Sequence, residues 1–141
     1  MKKGIHFLFG IKNEVKDFRA VIDRFAAVGF DFVEIPPEPF LIDKGELITE
    51  LAAYGREKGI ELTFSCGFSR EYDMASEEEK VRMQGASHLK RILEVMEKAD
   101  IRLLGGTAYT CWPSKRNQPL ELEEKQRILV RTAGIFSKCV Q

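Results

Sequence analysis

The sequence predicts an α/β fold made of four consecutive βα units. Short apolar runs alternate with longer amphipathic stretches along the 141 residues, as expected when buried strands alternate with helices that expose one face. A similar helix-to-strand phrase also recurs, at Val28–Phe32, Lys58–Leu62 and Lys98–Arg102. A repeat of roughly 30–40 residues is typical of a repeating βα architecture. The strand candidates are mostly apolar runs, as is usual for strands of a parallel sheet.

Each element follows from the local pattern. The apolar runs predict strands at Ile5–Phe9, Asp31–Ile35, Ile60–Cys66 and Ile101–Leu104. Apolar residues at three- and four-residue spacing predict helices at about Val15–Val28, Lys44–Lys58, Glu77–Ala99 and Leu120–Lys138. Because no long linker or low-complexity segment interrupts the pattern, residues 1–141 are predicted to form a single domain.

Composition excludes several classes of protein. The 22 basic and 22 acidic residues balance, and no basic stripe indicates nucleic-acid binding. The apolar run near the start is shorter than the ~7–15 residues of a signal peptide, and no stretch approaches the ~18 apolar residues of a membrane span. Three widely spaced cysteines without a CxxC pair favour a reduced, cytoplasmic protein over a disulfide framework.

The predicted sheet leaves a physical problem. Four parallel strands with helices on one face leave the other face and both edges uncovered, and an open apolar edge promotes aggregation. Doubly wound sheets place helices on both faces, whereas barrels close on themselves. Periodicity alone does not choose between these two solutions.

Four segments resemble a known family. They are KGIHFLF in the first strand, VGFDFVEI at the second, LTFSCGFS at the exit of the third, and LLGGTAYTCWP after the fourth. Together they resemble the D-tagatose/D-psicose 3-epimerase family of xylose-isomerase-like barrels, from the first strand to about Pro119. The resemblance implies that the four βα units are the N-terminal half of a (β/α)8 TIM barrel, whose active site lies at the C-terminal ends of the strands.

The resemblance also implies what this chain does not carry. The family binds a divalent ion, usually manganese, cobalt or magnesium, through two glutamates, an aspartate and a histidine on strands five to eight. The two glutamates move a proton at C3 of a free ketose. We therefore expect no catalytic residue, metal ligand or cofactor within the chain, which runs to Gln141 at the end of its fourth unit, and no epimerase activity from the isolated chain.

The resemblance and the strand ends select six candidate sugar-binding residues: His6, Glu34, Cys66, Gly67, Thr107 and Trp112. His6 is expected either to line the pocket or to be a buried histidine satisfied by a neighbour. Glu34 is expected to bond a sugar hydroxyl or orient a neighbouring group, and its alternative is a structural ion pair. The other histidine, His88, lies mid-helix and is expected to pack or to face solvent.

The remaining four candidates follow the third and fourth strands. Cys66 either touches the substrate or is a small buried hydrophobe, and Gly67 allows close approach of backbone to a ligand. Thr107 belongs to a loop shaped by Gly105 and Gly106. Trp112 is predicted to pack against the apolar C–H face of a sugar, because loop aromatics positioned by a scaffold are often functional.

Two departures from the family leave the identity of the ketose open. No tryptophan is present around Asn13–Val15, and the loop Arg70–Met74 differs. The alternative hypothesis is a non-catalytic half-barrel that forms a homodimer or pairs with a separate C-terminal half. A flavodoxin-like binding domain ranks behind both, because Gly10–Asn13 is a poor phosphate loop.

Overall fold

The computed structural model describes residues 1–9, 17–111 and 119–140. The strands are β1 (Gly4–His6), β2 (Phe32–Ile35), β3 (Glu61–Phe68) and β4 (Leu104–Cys111). The helices are α1 (Phe18–Val28), α2 (Glu46–Glu57), α3 (Glu79–Ala99) and α4 (Leu122–Cys139), and single 3-10 turns lie at Glu38–Phe40 and Arg70–Tyr72. The predicted order of four βα units is confirmed. No helix in these ranges has the length and apolar character needed to cross a membrane.

The four strands form one sheet in the order β1-β2-β3-β4. The pairs β1–β2 and β2–β3 are parallel, with Val33 as the partner of Ile5 on one side and of Leu62 on the other. Consecutive strands are therefore neighbours, as they are in a barrel, and β1 and β4 are the edges of the sheet.

The chain divides into two compact units. The first unit comprises residues 1–65 and 94–105, and the second comprises residues 66–93 and 106–141. In the first unit, Val33, Ile35 and Phe64 are at most 1% exposed and lie on one face of the sheet. Phe40 stacks on Phe64 with ring centroids 6.2 Å apart. Ile22 and Phe25 of α1 and Ile48 of α2 are also at most 2% exposed, so the core of this unit combines one face of β2 and β3 with the buried faces of α1 and α2.

The recurring helix-to-strand phrase folds into the same turn three times within the first unit. Gly29, Gly59 and Asp100 each have a positive φ, of 87°, 76° and 54°. The next residue donates its N–H to the carbonyl five positions back in every case: Phe30 to Phe25, Ile60 to Gly55 and Ile101 to Met96, at 2.9–3.1 Å. This is the hydrogen bond of a Schellman cap, and aspartate is among the few residues that tolerate the conformation in place of glycine.

The second unit has its own core. Phe68, Met74, Leu89 and Ile92 are at most 1% exposed. Met74 lies against Gly85 of α3, where a built Cβ would collide with the Met74 side chain and the Tyr72 carbonyl. The segment that follows β3 therefore packs directly on α3.

Two strand boundaries differ from the sequence prediction. β1 ends at His6, and Phe7–Phe9 form a turn closed by the Phe9 N–H on the His6 carbonyl at 2.9 Å. β4 begins at Leu104, where the predicted strand ended, and continues to Cys111. The glycine pair suggested a loop, but Gly106 (φ 93°) lies so close to the Cys66 backbone that only a residue without Cβ fits there. Because the neighbouring strands pack closely at this point, β4 continues through the two glycines.

Candidate functional site

The first part of the candidate site is the pair His6 and Glu34. These two residues are Cα partners in the β1–β2 register, so both side chains lie on the same face of the sheet. That face is opposite the one that buries Val33 and Ile35. His6 is exposed, so it is not a buried histidine, and its Nδ1 accepts a long hydrogen bond from the Leu8 N–H at 3.4 Å.

Glu34 extends its carboxylate across the face of the sheet. An ideal Cβ built on Gly105 of β4 would lie 3.6 Å from Glu34 Oε1. The carboxylate of Glu34 is therefore within ordinary van der Waals reach of Gly105. Among the described residues, the Glu34 side chain has no hydrogen-bond or ion-pair partner. The described residues therefore offer the Glu34 carboxylate no structural ion pair, which was the alternative prediction.

Cys66 and Gly67 lie on opposite faces at the end of β3. Cys66 is 6% exposed and alternates with the buried Phe68, while Gly67 between them is exposed. The placement suits Cys66 as a small buried side chain and leaves Gly67 as the more accessible backbone. Contact of either residue with a substrate stays a prediction.

Thr107 lies inside β4 and not in a loop. It is half-buried and follows Gly106, whose backbone packs against the Cys66 backbone. Trp112, the fourth-strand candidate on which the sequence argument depended most, lies outside the described residues, directly after Cys111.

The structure adds one residue that the sequence argument did not select. The carboxylate oxygen Oδ1 of Asp73 accepts the N–H of Cys111 at 3.2 Å and the N–H of Ala75 at 2.9 Å. Burial and the neighbouring Asp73 carboxylate both raise the pKa of the Cys111 thiol. An aspartate followed two residues later by a small residue is an ordinary turn pattern, so nothing in the sequence pointed to its contact with β4.

His88 is a packing residue, one of its two predicted roles. It is 8% exposed, and its ring stacks on Tyr72 with centroids 4.1 Å apart and an interplanar angle of 4°. Phe68 meets the same ring edge-on at 5.2 Å. Burial lowers the pKa of His88, and the charge of Arg91 lowers it further.

The described residues do not fit a metal ion. They bring together no group of three or more histidine, cysteine, aspartate or glutamate side chains that could bind one. A cavity of about 390 Å³ does open in the first unit, but its lining includes Phe32, Glu61 and Arg102, at the N-terminal ends of the strands. Barrel enzymes assemble their chemistry at the opposite ends, so this cavity is not a candidate active site.

Comparison with known proteins is informative over most of the chain. No protein-family model matches. A D-psicose 3-epimerase of Enterocloster bolteae is 31% identical over 115 residues, which are 80% of this chain and 38% of that protein. The chain is a homologue of the D-psicose 3-epimerases.

Solved structures of D-psicose 3-epimerases agree with the fold. The enzyme of Clostridium cellulolyticum H10, crystallised with D-tagatose, superposes on 99% of this chain with a TM-score of 0.81 and 26% identity. A second D-psicose 3-epimerase, determined in the presence of D-fructose, gives 0.82 over 96% at 26% identity. The chain covers 50% and 47% of those two proteins. It has the fold of about half of a TIM-barrel sugar epimerase.

Proposed function

We propose that this chain forms the N-terminal half of a metal-dependent ketose 3-epimerase barrel and contributes side chains that bind the sugar. Its homology to D-psicose 3-epimerases over four-fifths of the chain carries the proposal. The placement of His6 and Glu34 at the C-terminal ends of β1 and β2 supports it, because barrel enzymes bind substrates there. The proposed ligand is a ketose, the class of sugar present with the related enzymes.

Glu34 is the central sugar-binding residue in this proposal. Its carboxylate is acceptor-only when ionised and can take two hydroxyl hydrogen bonds. It has no partner among the described residues, and Gly105 of β4 lies beside it. His6 on the neighbouring strand offers a second polar group on the same face. Gly67, Thr107, Cys66 and Trp112 stay proposed contacts from the ends of β3 and β4.

The chemical step needs more groups than these. Moving a proton on the carbon next to a carbonyl requires two opposed proton-transfer groups and a polarised carbonyl. Glu34 is one carboxylate, and the described residues hold no cluster that fits the expected divalent ion. We therefore place the metal ligands and the acid/base pair in a complementary half and expect the isolated chain to be inactive.

Proton exchange tests this division of roles. We expect that D-psicose, D-tagatose and D-fructose incubated with the chain and Mn²⁺ in D₂O show no deuterium at C3 by NMR. Exchange above the protein-free rate, lost in Glu34→Gln, would show that the chain catalyses the step alone and would overturn the proposed inactivity.

Binding is tested separately. Saturation-transfer NMR is expected to detect weak ketose binding to the wild-type chain and a loss of that signal in Glu34→Gln. Glu50→Gln is the matched control, because Glu50 is an exposed glutamate in the middle of α2. Equal signals from the two variants would remove Glu34 from the sugar site.

A second candidate function is a non-catalytic half-barrel that pairs with a second copy of itself. One observation favours it: an apolar groove of about 570 Å³ along the edge strand β4 and the helix α4 of the second unit. Tyr109, Ile128, Leu129 and Phe136 line it, and Leu129 is 68% exposed. A second half-barrel would cover this surface and continue the sheet.

Light scattering after size-exclusion chromatography tests self-association. The dimer would have twice the 16.1 kDa mass of the chain. We expect Leu129→Asp to give a monomer, because a charge in the groove would lose solvation on pairing. Val130→Asp is the matched control, since Val130 is the next residue of α4, is 74% exposed and lies outside the groove. A wild-type monomer at all concentrations would exclude the homodimer. Pairing with a separate C-terminal half, and a cytoplasmic location, stay predictions.

A further inference from the structure

A cavity beside helix α3, within the second unit, is lined by none of the candidate sugar-binding residues. Its volume is about 370 Å³, which is in the range of about 300–1,000 Å³ that small-molecule pockets occupy. Four of its lining residues follow one another along α3 at steps of four, three and four: Lys80, Gln84, Ser87 and Arg91. Residues at this spacing lie on one face of a helix. The cavity is therefore bordered by a polar stripe of α3.

The charge along this stripe is positive. Among the described residues that line the cavity, Lys80 and Arg91 are basic and none is acidic. The Gln84 amide and the Ser87 hydroxyl can donate further hydrogen bonds. The whole chain is neutral, with 22 basic and 22 acidic residues, so the cavity is a local excess of positive charge. Such a site attracts an anion.

His88 adds a buried nitrogen atom to the same lining. The residue is 8% exposed, and its Nδ1 has no hydrogen-bond partner among the described residues. Tyr72 stacks on the ring at 4.1 Å and Phe68 meets it edge-on at 5.2 Å, so the imidazole is held in place. A buried polar atom without a partner is destabilising. An anion that accepts a hydrogen bond from this ring would therefore make a contact that the described residues do not supply.

The rest of the lining is apolar. Met83 is 60% exposed, and the ring of Tyr72 is half-buried. A bare inorganic anion would leave these two side chains uncovered, whereas an anion attached to an organic ring would remove apolar surface from water. The lining thus favours a ligand with a charged end and an apolar body.

We propose that the cavity beside α3 binds a small phosphate monoester. Arg91 and Ser87 lie one turn apart on α3, with His88 between them in sequence, and these three residues take the phosphate. Met83 and Tyr72 pack against the organic group. A phosphate monoester carries about −1.5 to −2 charges at neutral pH and three acceptor oxygens, so it matches two cations and several donors better than a singly charged carboxylate does. The site is independent of the proposed ketose site, because no residue belongs to both.

Calorimetric titration at constant ionic strength, with phenyl phosphate as the probe, tests the site. Since Arg91 would donate to a charged acceptor, Arg91→Gln should weaken binding by about tenfold. Lys90→Gln is the matched control: it removes one positive charge at the adjacent residue, which is exposed and outside the lining. Its affinity should stay within about twofold of wild type, because salt screens a charge that makes no contact.

The apolar part is tested with inorganic phosphate. It should bind the wild-type chain about fivefold more weakly than phenyl phosphate does, because it buries no apolar surface. Met83→Ser, at an exposed position, should remove most of that difference. Absence of phenyl phosphate binding, equal affinities in Arg91→Gln and Lys90→Gln, or equal affinities of the two phosphates for the wild-type chain would overturn the proposal.

The two histidines of the chain provide an independent readout by NMR. Burial and the charge of Arg91 lower the pKa of His88, while the carboxylate of Glu71 raises it to a smaller extent. A bound phosphate beside the ring would favour the imidazolium, so the His88 ring signal should titrate at a higher pH when phenyl phosphate is present. The His6 signal should not change. A change at His6 alone would place the ligand elsewhere and contradict the proposed site.

Discussion

Strands β2 and β4 belong to the same sheet but have different surroundings. β2 has a strand on each side, and its side chains Val33 and Ile35 are 0% and 1% exposed. β4 is an edge strand, its Tyr109 is 53% exposed, and an apolar groove runs beside it. The contrast shows that the described residues complete a core around β2, whereas the β4 side presents apolar surface to solvent. The following experiments measure that contrast.

The largest expected effect is at the core. Phe64 is fully buried and stacks on Phe40, so Phe64→Ala should lower the free energy of unfolding by about 3–5 kcal/mol through lost burial and a cavity. Leu129→Ser in the exposed groove should change it by less than about 0.5 kcal/mol in the monomer. Urea unfolding followed by circular dichroism measures both. Similar losses in the two variants would mean that the groove is already covered in solution.

The second effect is strain at β4. Gly106 and Gly29 have similar positive φ values, 93° and 87°. A Cβ on Gly29 would meet nothing within 4 Å, whereas on Gly106 it would collide with the Cys66 backbone. We expect Gly29→Ala to lower the free energy of unfolding by about 1 kcal/mol, through the conformational penalty alone. We expect Gly106→Ala to lower it by roughly 3 kcal/mol, because the backbone of a neighbouring strand must also move. Equal decreases in the free energy of unfolding, measured with urea, would indicate that β4 can move away from Cys66 without further loss of stability.

The same two strands show what the sequence could and could not predict. The α/β class, the four βα units and the three Gly- or Asp-terminated turns followed from local patterns, because caps and periodicity depend on residues near in sequence. The start of β4 did not. Gly105 and Gly106 carry the local pattern of a loop, and only the close approach of Gly106 to the Cys66 backbone, far away in sequence, explains a strand there.

The candidate site likewise has features that the sequence predicts and features that it does not. His6 and Glu34 could be selected because strand ends in a parallel sheet meet at one edge. The approach of Gly105 to Glu34 depends on strand packing across 71 residues. The bond from the Cys111 N–H to Asp73 depends on a loop contact across 38 residues. No local pattern encodes contacts of that range.

The third effect depends on pH and concerns the packing of α3 against the end of β3 and the residues that follow it. Burial lowers the pKa of His88 below its value in the unfolded chain, about 6.5. The unfolded state therefore binds more protons as the pH falls below that value, so stability is full above it and declines from about pH 7 downward. Each unit of pKa difference is worth about 1.4 kcal/mol. Urea unfolding between about pH 8 and pH 5 measures the slope.

The residues around His88 determine which control variants are informative. Tyr72 and Phe68 pack on its ring, the charge of Arg91 lowers its pKa and that of Glu71 raises it. His88→Phe keeps an aromatic ring on Tyr72 but does not titrate, so the pH slope should flatten. His6→Ala, which removes the other histidine of the chain, is the matched control. A pH slope that persists unchanged in His88→Phe would contradict its assignment to His88.

The smallest effect is at the N-terminal ends of the strands. Lys2 Nζ lies 2.7 Å from Glu61 Oε1, but the two side chains are 64% and 60% exposed. Water and salt screen such a pair, and ordering two long side chains offsets the attraction, so Lys2→Met should cost less than about 0.5 kcal/mol in urea unfolding. The difference should disappear at high salt, because the Debye length falls to about 3 Å at 1 M. A larger, salt-resistant loss of stability would mean that this pair contributes to the fold despite its exposure.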